Sequence, residues 1–263
     1  MENEYSNPDL RREKMLEIIK EHGFSGVSYL SRLFNVSEMT IRRDMEKLES
    51  EERIVRVYGG AKHAQKSHYE EPLQNRLVNN HAEKMIIAQV AAGMVEDGDV
   101  IALDASSTAF EIAKHIKDKR DLTVVTNNIS IAIELSGEND VEVVLLGGAL
   151  RKKSLSLVGS SVRYTLESLN IDKAFLSSKA LDITRGMTDA TIDEGEAKKA
   201  MINASRQVIV VMDHTKIDSV AYYRVCGFDE IDAIIVDNFK FEPSGAECLK
   251  YYQDQGVAIH YAK

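Results

Sequence analysis

Six short runs of Val, Ile and Leu constrain the fold more than any other feature of this sequence. Helical patterns separate most of these runs, at residues 108–117, 129–136, 160–169 and 192–204. Strands that are apolar throughout and alternate with helices are typical of a mostly parallel sheet covered on both faces. The sequence therefore predicts an α/β domain over residues 82–263. The six predicted strands are VIALD (100–104), LTVVT (122–126), VEVVLL (141–146), DKAFL (172–176), VIVVM (208–212) and AIIVD (233–237).

Composition narrows the class of protein. The 263 residues are 44% hydrophobic and 29% charged, which is ordinary for a globular chain of one large or two unequal domains. The apolar runs are too short for a transmembrane helix, and the first residues, MENEYSNPDL, lack the layout of a secretory signal. Cys226 and Cys248 are too few for a disulfide framework, so we expect two inert thiols. These features predict a cytoplasmic protein without a membrane partner.

The negative charge is unevenly distributed along the chain. Residues 1–70 hold 12 Lys and Arg against 13 Asp and Glu, so most of the net charge of −9 lies in the rear domain. Attraction to phosphates is set within a Debye length, so a balanced segment binds nucleic acid if its cations share one face.

The first 61 residues have the pattern of three short helices and a strand. The first helix ends near His22 and Gly23, Ser28 is expected to cap the second, and Ser37 the third after a tight turn. An alternating strand at 54–61 follows. This order is typical of a winged helix-turn-helix domain over residues 1–61, and a linker with a possible short helix is expected over residues 62–81. The apolar side of the second helix is predicted to carry Leu30, Leu33 and Phe34.

The third helix tests this interpretation. At 100° per residue, Ile41, Met45 and Leu48 share one face, which leaves an outward face bearing two arginines. Arginine donates in pairs to guanine or to phosphate, and a helix fits the major groove. The alternative is a solvent-exposed surface helix without a role in DNA binding, whose arginines pair with Asp44 and Glu46. The predicted DNA-binding residues are Ser37, Met39, Thr40, Arg42, Arg43, Lys47, Arg56 and Tyr58.

In the rear domain, small or polar residues follow five of the predicted strands, at 104–108, 126–128, 147–148, 177–179 and 213–216. We call these five segments the polar rim. Ligands of open α/β sheets lie outside the carboxyl ends of the strands. Hydroxyls and N–H groups suit a phosphate, and carboxylates and amides suit sugar hydroxyls. Each segment alone is also ordinary turn chemistry. The cations available to an anionic ligand include Arg151, Lys152, Lys153, Lys179 and Lys216.

Other ligands are disfavoured by spacing. The pair Gly147 and Gly148 lacks the spacing of a dinucleotide fingerprint, so no nucleotide cofactor is expected. His214 stands beside Asp213 without a second group of ligands at zinc spacing, so we expect a loop residue and no metal.

The motifs resemble a known family. VSEMTIRRDMEKLE (36–49) followed by RIVRVYGGA (53–61) is similar to the N-terminal segment of DeoR family bacterial transcriptional regulators, with Met45 where that family usually has Leu. The resemblance implies operator DNA binding by the third helix. It also implies a sensor domain similar to ribose-5-phosphate isomerases and CoA-transferase-like folds, a phosphorylated sugar or polyol as effector, and a homo-oligomer, dimer or tetramer.

The resemblance extends through the rear domain and implies effector-binding residues there. Arg151 and Lys153 join this set as nearby cations. Ser106, Ser177 and Ala180 stand where the family commonly has glycine, so the effector class stays open. The residues that the resemblance implies are Asp104, Ser106, Ser107, Thr108, Thr126, Asn127, Asn128, Gly147, Gly148, Glu196, Lys198, Asp213 and Lys216.

The predicted function is repression of a sugar or polyol catabolic operon, without catalytic residues. The alternative is a sugar-phosphate isomerase or transferase with an N-terminal docking module. In that alternative Asp104, Asp189 and Glu196 serve as acid or base groups, with Lys198 or Lys216 as the electrophilic partner.

Overall fold

The computed structural model describes residues 5, 7–22, 24–51, 53–57, 59–63, 70–238, 241 and 243–263. The chain divides into two compact units, Met1–Lys66 and Ser67–Lys263. None of the helices among the described residues is long and apolar enough to span a membrane.

The first unit consists of three helices and a small antiparallel sheet with strand order β1-β3-β2. Its core is a single cluster in which α3 contributes Ile41, Met45 and Leu48. Methionine fills the position of the usual leucine without exposure, since Met45 is 1% exposed. The elements are α1 (Pro8–His22), β1 (Phe24–Gly26), α2 (Val27–Phe34), α3 (Glu38–Ser50), β2 (Ile54–Val57) and β3 (Gly60–His63).

Two details of this unit differ from the sequence predictions. Ser28 does not cap α2, because the helix already begins at Val27. Its N-cap residue is Gly26, and there is no side-chain cap. The Ser28 hydroxyl instead donates to Glu38 Oε1 at 2.6 Å. Leu33 was expected on the apolar side but is 47% exposed, whereas Leu30 and Phe34 are buried.

The predicted strand at 54–61 is a hairpin of two strands. The chain reverses at Gly59, whose φ of +78° is unfavourable for residues with a side chain. A Cβ at Gly60 would lie 2.4 Å from the carbonyl oxygen of Ser25, so β3 approaches β1 too closely for any side chain there. The Gly-Gly pair is therefore required by the geometry of the wing.

The second unit is built on a seven-stranded parallel sheet, with strand order β15-β14-β12-β9-β4-β5-β6. Two apolar clusters cover its faces. Its helices are α4 (Leu73–Val78), α5 (His81–Ala92), α6 (Ser107–His115), α7 (Ile129–Leu135), α8 (Ser160–Leu166), α9 (Ile192–Ala204) and α10 (Pro243–Asp254). The strands of the large sheet are β4 (Val100–Leu103), β5 (Leu122–Thr126), β6 (Val141–Leu145), β9 (Ile171–Leu176), β12 (Ser205–Val211), β14 (Ala233–Asp237) and β15 (Ala258–Ala262).

The six predicted strands are all present, and the mostly parallel α/β architecture is confirmed. The sequence analysis missed β15 and two small antiparallel sheets that cover the rim. These smaller sheets comprise β7 (Ala149–Arg151) with β8 (Ser156–Val158), and β10 (Ala180–Asp182), β11 (Gly186–Asp189) and β13 (Tyr223–Cys226).

Helix α4 lies within the segment 62–81 that was predicted to be a linker. The backbone N–H of Leu73 donates to the carbonyl of Lys153 at 2.8 Å, so this helix is attached to the second unit. Residues 64–69 lie outside the described part of the chain. The exact domain boundaries therefore stay a prediction.

Both cysteines are buried and unpaired with each other. Burial raises the pKa of Cys226 to about 12 and that of Cys248 to about 11. Because the thiolate is the reactive form, neither thiol is reactive near neutral pH.

Candidate functional site

Helix α3 is fixed by its cap and by its buried face. Ser37 Oγ accepts from the backbone N–H of Thr40 at 3.1 Å, as expected for an N-cap. Ile41, Met45 and Leu48 are between 0% and 1% exposed. Their burial against α1 and α2 determines which face of the helix remains in solvent.

The outward face carries the predicted DNA-binding side chains. Met39 is 61% exposed. Arg42 and Arg43 are exposed, and only Arg42 has an ion pair, with Glu38 at 3.3 Å, among the described residues. An exposed pair at that distance contributes little to stability. Both guanidinium groups are therefore available to phosphates or bases.

Asp44 and Glu46 do not pair with Arg42 or Arg43 as the alternative interpretation expected, although Glu38 of the same helix pairs with Arg42. Asp44 is buried and accepts from Arg11 Nε at 2.6 Å, which connects α3 to α1. Glu46 pairs with Arg56 at 3.0 Å. The sequence analysis missed the role of Arg11, although an arginine in an amphipathic helix opposite a buried aspartate is a recognisable signal.

The predicted wing cation is held by the recognition helix. Arg56 Nε lies 2.7 Å from Glu49 Oε2, and its backbone N–H donates to the same carboxylate. The hydrogen bonds from the Arg56 backbone and side chain lower the pKa of Glu49. The structure thus gives Arg56 partners within the first unit, and its predicted contact with DNA stays a prediction. Lys47 is exposed and lies 3.4 Å from Glu51, and Tyr58 lies outside the described residues.

In the second unit, a buried cluster of charges lies at the polar rim. Asp104 follows β4 and is 1% exposed. Its carboxylate accepts from the backbone N–H groups of Ser106 and Ser177, each at 3.1 Å, and lies 3.2 Å from Lys198 Nζ. Lys198 also lies 3.1 Å from Asp189. The structure thus brings together Asp104 and Lys198, which the resemblance had implied.

The charge state of Lys198 follows from its neighbours. Burial alone would lower its pKa, but the carboxylates of Asp189, Asp104 and Glu194 outweigh that effect and raise it. A lysine held protonated in this way is a fixed donor and does not act as a base.

Glu194, one helical turn before Lys198, is a residue that the sequence analysis missed. Its carboxylate accepts from the hydroxyls of Ser154 and Ser156 and pairs with Arg151 at 2.8 Å. Burial would raise the pKa of Glu194, but Lys198, the two hydroxyls and Arg151 lower it.

Glu196 does not join this cluster. It is exposed on another side of α9, where it accepts from the Tyr223 hydroxyl and lies 3.5 Å from Lys199. Two residues along a helix rotate the side chain by about 200°, which explains why Glu194 is inside and Glu196 outside. The geometry does not favour Glu196 as an effector ligand. Nor is Arg151 a free cation, since Glu70 also binds it, at 2.6 Å.

The loop after β12 supplies a second part of the rim. Lys216 Nζ donates to Ser177 Oγ at 2.9 Å, and Asp213 Oδ1 accepts from Asn80 Nδ2 at 3.0 Å. Burial and the charge of Lys216 lower the pKa of Lys84 to about 8. Burial lowers the pKa of Lys179 and of Lys216 as well. Lys84 is buried and Lys179 and Lys216 are half-buried, and this concentration of cations favours an anionic ligand.

Several predicted rim residues are helix caps. Ser106 Oγ accepts from the N–H of Ala109 at 3.0 Å, and Asn128 Oδ1 accepts from Ser130 and Ile131 at 2.7 and 3.1 Å. The φ of Ser106 is −88°, so its backbone does not require the glycine that the family commonly has. Ser177 and Ala180 likewise have no positive φ. These three departures therefore do not strain the backbone.

The remaining predicted residues fall into three groups. Thr126 and Ser107 are buried at the rim, whereas Gly147, Gly148 and Lys153 are exposed. At Gly148 the φ is +156°, and a Cβ would lie 2.4 Å from the carbonyl oxygen of Val158, so this glycine permits the β7-β8 pairing. The two other predicted residues, Thr108 and Asn127, each bury a polar atom that has no partner among the described residues.

The structure gives His214 a structural role. Its ring nitrogen Nδ1 lies 2.8 Å from Asp237 Oδ2, and its backbone N–H donates to the same carboxylate. Within the described ranges, no group of three His, Cys, Asp or Glu residues could hold a metal ion.

Arg76 and Lys84 are further residues that the sequence analysis missed. Lys84 was detectable, because it precedes Ile87, Ala88 and Ala91 on the buried face of α5, where a lysine is unusual. Arg76 gave no such signal, since it lies in a polar segment without periodicity.

A helix that presents two arginines to solvent in one unit and a polar rim in the other define a DNA-binding transcriptional regulator with a separate sensor domain. Two family models match: the DeoR-like helix-turn-helix domain over residues 11–67 and the DeoR C terminal sensor domain over residues 79–238. This chain belongs to the DeoR family of HTH-type transcriptional regulators. The predicted family is thereby confirmed.

Similarity to individual regulators covers almost the whole chain. The uncharacterized HTH-type transcriptional regulator YulB of Bacillus subtilis is 37% identical over 96% of this chain and 97% of that protein. The HTH-type transcriptional repressor GlcR of the same organism is 35% identical over 92% of this chain and 96% of that protein. A putative aga operon transcriptional repressor of Escherichia coli O157:H7 is 31% identical over 95% of this chain and 92% of that protein.

Among solved structures, ribose 5-phosphate isomerase A from Methanocaldococcus jannaschii is 16% identical, with a TM-score of 0.39 over 52% of this chain and 55% of that chain. A TM-score of that size does not establish that the two folds are similar. The architecture is established here by the strand order, and the expected similarity to isomerases stays a prediction.

Proposed function

We propose that this regulator represses a sugar or polyol catabolic operon and that a phosphorylated sugar or polyol, bound at the polar rim, controls its affinity for operator DNA. The observation that carries the proposal is the composition of the rim. Lys84 is buried and Lys216 is half-buried, and Lys216 lies close to the carboxylate of Asp213, a group that suits sugar hydroxyls. Two of the similar regulators are named as repressors.

DNA binding is assigned to α3. Arg42 and Arg43 supply paired donors to base edges or phosphates, and Ser37 and Thr40 lie at the helix N-terminus, which favours phosphate. Met39 contacts apolar base surface, and Lys47 and Arg56 bind the DNA backbone. One such helix reads a short half-site, so a dimer or tetramer is the expected working form. We place this protein in the cytoplasm, where its DNA is.

Control by a ligand requires different effector affinities in the DNA-competent and DNA-incompetent states. A coupling free energy of about 1–3 kcal/mol is typical of such systems. Phosphate contacts supply much of the operator affinity, which should therefore fall steeply with salt.

The geometry disfavours the enzyme alternative. Asp104 has three donors within 3.2 Å, Lys198 is held protonated, and Glu196 faces away from both. Asp104 and Asp189 do meet at Lys198, but both carboxylates are engaged by that lysine and Glu196 lies outside the cluster, so the complete set suggested for acid and base catalysis is not assembled. We propose that the chain has no catalytic activity toward sugar phosphates.

The testing experiment is a gel shift with the protein's own promoter region and a panel of phosphorylated sugars and polyols. One compound should change the operator affinity about 5- to 150-fold, as the coupling free energy requires. A coupled assay for turnover of the same compounds is the companion measurement. Turnover at ordinary enzyme rates, about 1 per second or faster, would overturn the regulator-only proposal.

A further inference from the structure

Arg76 buries two hydrogen-bond donors that have no partner among the residues that the structure describes. It lies on α4, in the segment that the sequence analysis took for a linker. Its Nε and Nη2 atoms are inaccessible to solvent, and neither meets an acceptor among the described residues. A buried donor without a partner costs about 1–3 kcal/mol, and more when the group is charged. Such a cost is tolerated where a ligand supplies the missing acceptor.

The two orphaned donors form one edge of the guanidinium group. The N–H bonds of Nε and Nη2 point in parallel on the side away from the aliphatic stem. This edge is the fork that binds two oxygen atoms of a phosphate or carboxylate at once. No carboxylate of the described residues lies within ion-pair distance of Arg76, although this unit contains many acidic side chains. Within the described part of the chain, the fork therefore lacks the internal partner that a structural arginine normally has.

The C-terminal end of α4 is joined to the polar rim through Asn80. Lys84 Nζ donates to the backbone carbonyls of Arg76 and Asn79, which holds the end of α4 against α5. The next residue, Asn80, donates to Asp213 Oδ1 at 3.0 Å and to Thr215 Oγ1 at 3.3 Å, in the loop that carries Lys216. The positive charge of Arg76 acts on Lys84, Lys179 and Lys216. Four cations thus converge where α4 meets the rim.

We propose that Arg76 binds the anionic phosphate of the effector through its Nε–Nη2 edge, so that α4 is part of the effector site. This inference rests on the proposed function. It adds an effector-binding residue that lies outside the five segments of the polar rim. It also identifies α4 as the helix whose hydrogen exchange should change when the effector binds. Helix α4 is the first described helix after the wing, and only residues 64–72 separate it from β3. A phosphate bound by Arg76 thereby adds a contact that holds α4 to the second unit.

The test uses the full-length protein and isothermal titration with inorganic phosphate and with the phosphorylated sugars of the gel-shift panel. Arg76→Gln removes the charge and the fork, and Arg76→Lys keeps the charge alone. Arg206→Gln is the matched control, because Arg206 is an exposed arginine of the same unit that pairs with Asp172 at 3.2 Å. We expect about 10- to 100-fold weaker binding in Arg76→Gln, an intermediate loss in Arg76→Lys and no change in the control.

Hydrogen exchange supplies a readout that a purely structural role would not change. Ligand binding should slow exchange of the amides of Arg76 and Asn79, which donate within α4 to Pro72 and Asn75 at 3.1 and 3.0 Å. Arg76→Gln should lose that ligand-dependent protection while its thermal unfolding without ligand stays close to wild type.

The failures are distinguishable. If the wild-type protein binds phosphorylated sugars and both Arg76 variants bind them equally well, this inference is wrong and the proposed function stands. If the wild-type protein binds neither inorganic phosphate nor any phosphorylated sugar, the inference and the proposed effector class are wrong together.

Discussion

The cations of the two proposed sites differ in their exposure to solvent. In the first unit, Arg42 and Arg43 are exposed on a helix whose other face is buried in the core. In the second unit, Lys84 and Lys198 are 3% and 5% exposed and are surrounded by polar groups. A DNA-binding surface meets its ligand from solvent, whereas a small-molecule site must be assembled before the ligand arrives.

This difference has an energetic consequence. An exposed arginine costs the fold almost nothing, so the DNA-binding face is independent of the stability of its unit. A buried charge must be compensated by partners, so the effector site and the stability of the sensor unit are linked. Substitutions of the exposed arginines in the first unit should therefore change binding but not stability. Substitutions of the buried charges in the second unit should change both.

The largest expected effect is that of Lys198→Met on the free energy of unfolding. If this variant were as stable as wild type, the stated difference between the two units would be wrong. The variant removes the cation that lies 3.2 Å from Asp104 and 3.1 Å from Asp189 and leaves both carboxylates without an ion pair among the described residues. We expect a loss of about 3–5 kcal/mol in the free energy of unfolding, measured by urea titration with circular dichroism.

Lys199→Met is the matched control for that measurement. Lys199 is the neighbouring residue, and its side chain is 37% exposed and lies 3.5 Å from Glu196. A loss below about 1 kcal/mol is expected there. Equal losses in the two variants would contradict the link between site and stability.

The second largest effect is expected for Arg43, whose substitution should weaken operator binding without changing stability. Arg43→Ala removes an exposed guanidinium that has no ion pair among the described residues. We expect operator binding to weaken by about 1–3 kcal/mol, measured by gel shift at fixed salt, with unfolding changed by less than about 0.5 kcal/mol.

Lys14→Ala, on the exposed face of α1 beside Glu17 at 2.8 Å, is the control for nonspecific loss of charge. If Arg43→Ala binds the operator as well as this control does, the assignment of the outward face of α3 is wrong.

The same contrast explains how much the sequence could predict. The DNA-binding helix is local: a cap at Ser37, three apolar residues and two arginines lie within one segment, so a helical wheel places them correctly. The rim is not local, because Glu194 and Arg76 reach it from helices far along the chain. Strand ends were predictable from apolar runs, but the side of α9 that faces the sheet was not, since Glu194 and Glu196 are equally polar. Arg76 was missed because its environment exists only after folding.

The third effect is a pH dependence of stability that the sensor unit should show. The pKa of Lys84 is about 8 in the folded protein, below its ordinary value of 10.5. Above the folded pKa the unfolded chain binds more protons, so the free energy of unfolding should rise with pH until the unfolded lysine also titrates. From about pH 7.5 to about pH 9 we expect a gain of about 1 kcal/mol in wild type.

The measurement is urea unfolding at a series of pH values, with Lys84→Met as the comparison. The Lys84 contribution should be absent from the slope of that variant. A slope that is the same in both proteins would show that other groups cause the pH dependence. Saturation with inorganic phosphate should flatten the wild-type slope, because a bound anion raises the pKa of a neighbouring lysine.

The smallest effect compares the two capping serines, one in each unit. Ser37 and Ser106 both accept a backbone N–H with Oγ, at 3.1 and 3.0 Å, but Ser37 is exposed and Ser106 is 6% exposed. Glycine at an N-cap costs only a few tenths of a kcal/mol, whereas alanine costs about 1 kcal/mol. Because the Ser106 hydroxyl is used within the fold, Ser106→Gly should change unfolding by a few tenths of a kcal/mol and leave phosphate binding by titration unchanged. Ser106→Ala should cost about 1 kcal/mol in unfolding and likewise leave binding unchanged. If instead both variants lost phosphate binding while remaining folded, the hydroxyl would be a ligand, and the serine would replace the usual glycine for recognition of the effector.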